Sequence, residues 1–247
     1  MKDGEKSLAR VFEILEVVGR SRCGLCGPEV AAALGVPVST VFRMLKFLTD
    51  RGYLRKKETR YTLGPGLMRL GSVARGQNPL AQLARPLLTE LSEETGETVH
   101  LAELRGSEVV YIDKVEGSRP VRMGSMIGRS SPCYCTGVGK ALLAFQPAAR
   151  REKLVAETVF DRFTPHTIGN GAALRRELEV IRSRGYAVDD GEHEPGVFCV
   201  AAPVLDASGE AVAGISVSGS EIYLRERVAA VATRVVSAAR RLSEELG

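Results

Sequence analysis

Between Gly35-Val36-Pro37 and Gly52 the chain carries Val41, Met44, Leu45 and Leu48, spaced i, i+3, i+4 and i+7. That spacing gives an α-helix one buried side. It thereby decides what the other side shows: Ser39, Thr40, Phe42, Arg43, Lys46 and Phe47. A shorter helix is expected just before it, opening at Pro28, where a missing N–H costs nothing, with Val30, Ala31 and Leu34 turned inward. Two short helices joined by a tight turn, the second opening on polar and basic residues, are the pattern of a helix-turn-helix. The second helix of such a pair fits the major groove of double-stranded DNA. Arg43 is suited to guanine, and Ser39 and Thr40 to phosphate at the positive end of the helix dipole.

The flanking segments extend this reading. Ser7–Val18 reads as a first helix with Leu8, Val11, Phe12, Leu15 and Val18 on one apolar stripe. After Gly52, residues 53–63 read as two short strands around Lys57-Glu58-Thr59, a β-wing that sets Arg55, Lys56, Lys57 and Arg60 toward the DNA backbone or minor groove. A solvated basic hairpin has the same sequence pattern. The order helix-turn-helix then wing is more specific than either part. Charge agrees: residues 1–77 hold 14 Lys/Arg against 7 Asp/Glu, net +7, whereas residues 78–247 are net −3.

At 247 residues the chain suits two domains. No apolar run reaches the roughly 18 residues of a membrane span, and the polar start Met1–Lys6 has no signal-peptide core behind it. A cytoplasmic protein without a membrane partner is expected. Five cysteines, an odd number, argue against a disulfide framework. Cys23 and Cys26 form a C-x-x-C without a second ligand pair nearby, open to a metal or redox role or to two incidental loop thiols.

Leu67–Arg75 reads as a linker helix, and Pro79–Thr95 as an amphipathic helix with Leu80, Leu83, Leu87, Leu88 and Leu91 inward and Pro86 kinking or splitting it. Strands are expected at Thr98–Leu104, Glu108–Val115, Tyr186–Asp190, Phe198–Leu205 and Ala211–Ser218. Helices are expected at Gly137–Phe145, Leu174–Arg184 and Arg225–Leu246. The fold class is α+β, with a central antiparallel sheet flanked by helices. Metalloprotease, P-loop and nucleophile-elbow motifs are missing.

Ser7–Leu15, Leu34–Leu45, Gly52-Tyr53-Leu54 and Arg60–Pro65 with Leu67 resemble the IclR-type bacterial regulators. The resemblance continues through Arg129–Ala144, Gly185-Tyr186-Ala187, Gly196–Pro203 and Gly214–Gly219. It implies a winged helix-turn-helix over 1–64, a linker helix over 65–78, and a GAF-like effector-binding and oligomerisation domain over 79–247. It further implies an effector site of Asp189, Cys199, Ser216 and Ser218, with backbone donors at Gly137 and Val138. The chemistry fits a small organic acid. A helix N-terminus offers free N–H groups to a carboxylate, and Ser216 and Ser218, two apart, share one face of a strand. Other roles stay open: Cys199 as a small buried hydrophobe, Asp189 as a turn cap with Asp190 as its competitor, and the serines as solvent-facing.

The function so implied is a ligand-responsive regulator, a repressor rather than an activator, of a catabolic or metabolic operon. No cofactor is expected. A homodimer on a near-palindromic operator is expected, because one winged helix makes few contacts. Its DNA-binding heads would meet through Leu67–Arg75 and the first helix, and the resemblance allows a tetramer. The alternative is an enzyme or metal-dependent sensor built on Cys133, Cys135 and Cys199 with His193, since three thiolates and an imidazole suit zinc.

Overall fold

The computed structural model describes residues 3–119 and 124–246. Contacts divide the chain into two compact units on either side of the Gln77–Asn78 bond.

The first unit runs α1 (Asp3–Arg20), β1 (Leu25–Cys26), α2 (Gly27–Leu34), α3 (Val38–Asp50), β2 (Leu54–Lys57), β3 (Arg60–Leu63) and α4 (Pro65–Gly76). Pro28 stands in the first turn of α2, and Gly35 ends that helix in the left-handed conformation that glycine adopts without steric cost. Val41, Met44, Leu45 and Leu48 are all buried, packed with Ile14, Val18, Val30, Leu54 and Tyr61. The expected stripe of α3 is therefore the centre of this unit's core. Strands β2 and β3 pair antiparallel from Leu54↔Leu63 to Lys57↔Arg60, the wing foreseen from the sequence.

Two details depart from expectation. β1 pairs with β3 through Leu25↔Tyr61, making a three-stranded sheet in the order β1-β3-β2 among the described residues. Two residues carry no periodicity to read. On α1 the buried stripe is Val11, Ile14, Leu15 and Val18, while Leu8 and Phe12, expected inward, are 66% and 65% exposed. Leu8 and Phe12 lie on a second apolar row, rotated away from the one that faces α2 and α3.

The second unit adds α5 (Pro79–Thr95), β4 (Thr98–Arg105), β5 (Glu108–Val115), β6 (Ser130–Pro132), a 3₁₀ turn at Cys133–Cys135, α6 (Gly137–Ala144), α7 (Ala148–Glu157), α8 (Gly171–Arg184), β7 (Ala187–Asp190), β8 (Val197–Leu205), β9 (Ala211–Ser220), α9 (Glu221–Leu224) and α10 (Val228–Leu246). Its six-stranded sheet has the order β6-β5-β4-β9-β8-β7 among the described residues, antiparallel at every pairing. Alternation sorts the strands onto two faces. Val99, Leu101, Val200, Ile215 and Val217 pack against α5 and α10. Ala102, Val109, Ala187 and Ala201 pack with residues of α6 and α8 on the other face. This is the expected α+β architecture.

Helix α5 continues through Pro86 as one helix, capped by the Asn78 side chain, which accepts from the Ala81 N–H at 3.1 Å. Its inward side uses Ala81 and Ala84 beside Leu87, Leu88 and Leu91, and leaves Leu83 exposed. β6, α7 and α9 are short or carry little apolar periodicity, so the sequence does not announce them.

The seating of α6 yields a test. A Cβ on Gly139 would stand 2.4 Å from Cys133 Cα and 2.5 Å from its carbonyl oxygen, both backbone atoms that cannot turn aside. Gly139→Ala should therefore destabilise the second unit by about 3 kcal/mol, the upper end of overpacking costs. Denaturant unfolding followed by circular dichroism measures this. A loss below roughly 0.5 kcal/mol would mean that α6 is not packed so closely.

Candidate functional site

The exposed face of α3 carries Ser39, Phe42, Arg43 and Lys46, with Thr40 half-buried. Among the described residues no side chain caps its first turn, so the N–H groups of Val38 and Ser39 are open to an acceptor. Lys46 pairs with Asp50 at 2.6 Å along the helix. Phe42 has a packing role that the sequence reading did not give it. Its ring lies over Gly27, where an added Cβ would meet it at 2.6 Å, and so it sets the approach of α2 to α3.

On the wing, Arg55, Lys56 and Lys57 are exposed, and Lys56 Nζ sits 5.6 Å from the centre of the Tyr61 ring. Arg60 turns back instead: its Nη1 donates to the Gly24 carbonyl oxygen at 2.7 Å and lies 3.5 Å from Glu29 Oε2. Arg60 thus braces the β1 loop, and only part of its charge faces outward.

In the second unit, the α6 side of the sheet holds a cavity of about 330 Å³. Strand register builds its floor: Asp189 pairs with Cys199, Cys199 with Ser218, and Ser216 with His100 across β7, β8, β9 and β4. Helix α6 stands over this row, for a Cβ on Gly137 would lie 3.2 Å from Cys199 Cβ and 3.6 Å from Asp189 Cβ. No side chain caps α6 among the described residues, and Gly137 and Val138 line the cavity. All six positions named from the sequence therefore meet at one cavity. Asp190, the competitor of Asp189, is paired instead with Arg225 at 2.6 Å and is not among the lining residues.

The structure adds wall residues that the sequence reading missed, among them His100, Tyr111, Ser125, Arg129 and Ser131, with His193 recruited from the proposed metal cluster. His100, Tyr111 and Ser131 are gathered by the sheet register, and Ser125 and Arg129 stand just before β6. His100 is buried. Its Nε2 lies 2.7 Å from Ser125 Oγ, and its Nδ1 is 3.5 Å from both Ser216 Oγ and Ser218 Oγ. Burial, aided by the Lys114 ammonium, lowers its pKa to about 3, so the ring is neutral near pH 7. Asp189 is pushed up to about 7 by burial and by the nearby Glu192 carboxylate. The Glu192 N–H donates to Asp189 Oδ1 at 2.8 Å, and Glu192 is itself ion-paired with fully buried Lys140. Burial raises the Cys199 thiol well above its usual range, with the Asp189 charge adding to it.

The metal-sensor alternative is corrected here. Cys133 and Cys135 are buried in the apolar core with Val138 and Leu142, and neither lines the cavity. Burial lifts the Cys133 thiol to about 12 and the Cys135 thiol higher still, so both are neutral thiols within the core. No group of three or more His, Cys, Asp or Glu able to hold a metal occurs among the described residues. In the same residues, no single helix is long and apolar enough to cross a membrane.

Known proteins share this organisation. Residues 7–58 match the IclR helix-turn-helix domain, and residues 74–244 match the C-terminal domain of bacterial transcriptional regulator IclR. The HTH-type transcriptional regulator BhcR of Paracoccus denitrificans is 38% identical over 97% of this chain and 87% of its own. The HTH-type transcriptional repressor AllR of Klebsiella pneumoniae is 33% identical over 99% of this chain and 91% of its own. The crystal structure of Thermotoga maritima IclR superposes with a TM-score of 0.84 at 36% identity, covering 98% of this chain and 99% of that one. With both domains matched in order, the chain belongs to the IclR family and is a helix-turn-helix transcriptional regulator, not an enzyme.

Proposed function

We propose that this regulator is a repressor whose hold on double-stranded DNA is set by a small organic acid bound in the second unit, and that it acts in the cytoplasm on a catabolic or metabolic operon. The observation that carries the reading is the convergence of Gly137, Val138, Asp189, Cys199, Ser216 and Ser218 on one cavity, with Arg129 in its wall. The ligand carboxylate is received by the α6 N–H groups and Arg129. Ser216, Ser218 and the Cys199 thiol take the remaining polar atoms. Asp189, once ionised, only accepts, so it faces a ligand hydroxyl. The repressor sense is supported by the likeness to AllR, a transcriptional repressor by name.

On DNA, α3 lies in the major groove with Arg43 reading a base edge, while Ser39, Thr40, Lys46, Arg55, Lys56 and Lys57 meet phosphates. Phe42 and Arg60 hold the reading surface in shape. Leu8 and Phe12 on α1, with Met68 and Val73 on α4, are exposed apolar side chains, and they suit the pairing of two heads into a homodimer, on which a tetramer can build. Ligand binding must favour one arrangement of those heads, or it leaves DNA affinity unchanged.

Three outcomes test this. Arg43→Ala should cost about 1–3 kcal/mol of operator affinity and relax one base pair, whereas Lys57→Ala should weaken all sequences alike and flatten the salt dependence. Fluorescence anisotropy across a salt series separates them, and unchanged operator affinity would take Arg43 out of base reading. Leu8→Ser with Phe12→Ser should lower the mass seen by light scattering at micromolar concentration; a parent chain that is already monomeric there refutes the dimer. Ser216→Ala with Ser218→Ala should abolish calorimetric binding of whichever organic acid first gives heat with the parent, with the fold checked by circular dichroism. Undiminished affinity would mean that the ligand sits elsewhere.

A further inference from the structure

We propose that the effector is a hydroxylated aliphatic monocarboxylate, and that His100 selects it over unhydroxylated and aromatic acids. This rests on the reading of the cavity as an acid-binding site and narrows it to one chemical class.

The lining carries the argument. Pockets for apolar or aromatic ligands are walled mostly by apolar side chains with a few placed polar groups. Here Val138 and Val197 are the only aliphatic side chains in the wall among the described residues, beside the rings of His100, Tyr111 and His193, and most of the remaining lining residues carry polar side chains. Tyr111, Ser125, Ser131, Ser216 and Ser218, all hydroxyl residues, line the same space as Asp189. An aromatic ring or alkyl chain would strip water from these groups and return no hydrogen bond, which is the costly way to bury them. A ligand with several hydroxyls replaces the lost water bond for bond. Size agrees, for about 330 Å³ is the volume of roughly ten waters, enough for an acid of about four to six carbons.

Charge fixes the count of carboxylates. Arg129 and the α6 N-terminus supply one cationic end. Asp189 stands beside that helix end, for a Cβ on Gly137 would lie 3.6 Å from Asp189 Cβ, and when ionised it repels a second carboxylate while it accepts from a hydroxyl.

His100 supplies the discrimination. It is neutral, so one nitrogen donates and the other accepts. Its Nε2 is committed to Ser125 at 2.7 Å. Its Nδ1 is shared between Ser216 and Ser218 at 3.5 Å each, well beyond the usual 2.7–2.8 Å of a hydroxyl hydrogen bond. One nitrogen cannot satisfy two hydroxyls at that distance, so Ser216 keeps capacity for a further partner, while Ser218 also meets the Cys199 thiol. A ligand hydroxyl seated between them completes the set. A methylene in the same place leaves them with only these long contacts, and sites built to hold a hydroxyl reject analogues that lack it.

The test is calorimetry on the full chain with D-gluconate, D-xylonate and L-threonate, against hexanoate and benzoate. At least one polyhydroxylated acid should bind about tenfold or more tighter than hexanoate and benzoate. In His100→Leu, a similar volume without polar atoms, that ratio should fall below about threefold, and in His100→Gln, which keeps a donor and an acceptor, it should lie between. Tighter binding of benzoate or hexanoate by the parent overturns the proposal and leaves the acid-binding site standing. A ratio unchanged in both variants removes His100 from selection. Heat from none of the five acids overturns the acid-binding reading itself.

Discussion

Helix α6 reaches the sheet because glycines let it come close. A Cβ on Gly214 of β9 would stand 2.7 Å from Val138 Cγ2, and one on Gly137 would press on Cys199. Interiors are packed densely enough that a single added methyl displaces its neighbours. Those positions therefore fix the height of α6 above the strands, and with it the height of the first N–H groups above Asp189, Cys199 and Ser218. Much of the cavity follows from that. Its floor is two neighbouring register rows of the sheet, Asp189–Cys199–Ser218 and Ser216–His100, its donors are the end of a helix, and Ser125, Arg129 and His193 stand in its wall.

The first unit obeys the same economy. Its recognition helix is held by one buried stripe, and residues outside the stripe are free to vary with the DNA they meet. Two of them do more. Phe42 spends its ring on Gly27, and Arg60 spends its guanidinium on the Gly24 carbonyl oxygen. Both sit at the junctions where α2 meets α3 and where β1 meets β3. A basic or aromatic residue near DNA need not touch it to matter. Holding the angle of the helix pair within a fraction of an ångström is itself a condition for reading base edges.

The sequence made much of this visible, for a definite reason. Elements with a long apolar period, such as α3, β8 and α10, announce themselves because burial demands the period. Resemblance then reached the floor of the cavity, since Asp189, Cys199, Ser216 and Ser218 stand within recognisable segments. What stayed hidden is equally instructive. Leu8 and Phe12 belong to a helix with two apolar rows, and composition cannot say which row faces inward. β1 and β6 are held by hydrogen bonds to longer strands rather than by a pattern of their own. His100, Arg129 and Ser125 are single polar residues whose meeting depends on strand register and on loop path. Cys133 and Cys135 carried a metal signal in sequence that burial among Val138 and Leu142 cancels.

The electrostatics of the second unit show why a buried acid can serve as a binding group there. Asp189 lies in a setting that raises its pKa toward neutrality, chiefly through burial and then through Glu192. Left alone, such a carboxyl would be protonated over much of the physiological range and would donate rather than accept. Two features pull the other way: the Glu192 N–H bonded to Oδ1, and the Lys140 ammonium paired with Glu192. The buried Lys140–Glu192 pair is close to neutral as a unit and costs desolvation, yet it orients the loop that delivers that N–H. The sign of the folding linkage follows. A carboxyl whose folded pKa lies above its unfolded value takes stability from the protein as pH rises from the ordinary 3.8 toward about 7. A ligand hydroxyl that donates to the ionised form returns part of that loss, because a hydrogen bond to the charged state favours it. The cavity is thus least comfortable when empty at neutral pH, and the bond that relieves it is one that a hydroxylated ligand supplies.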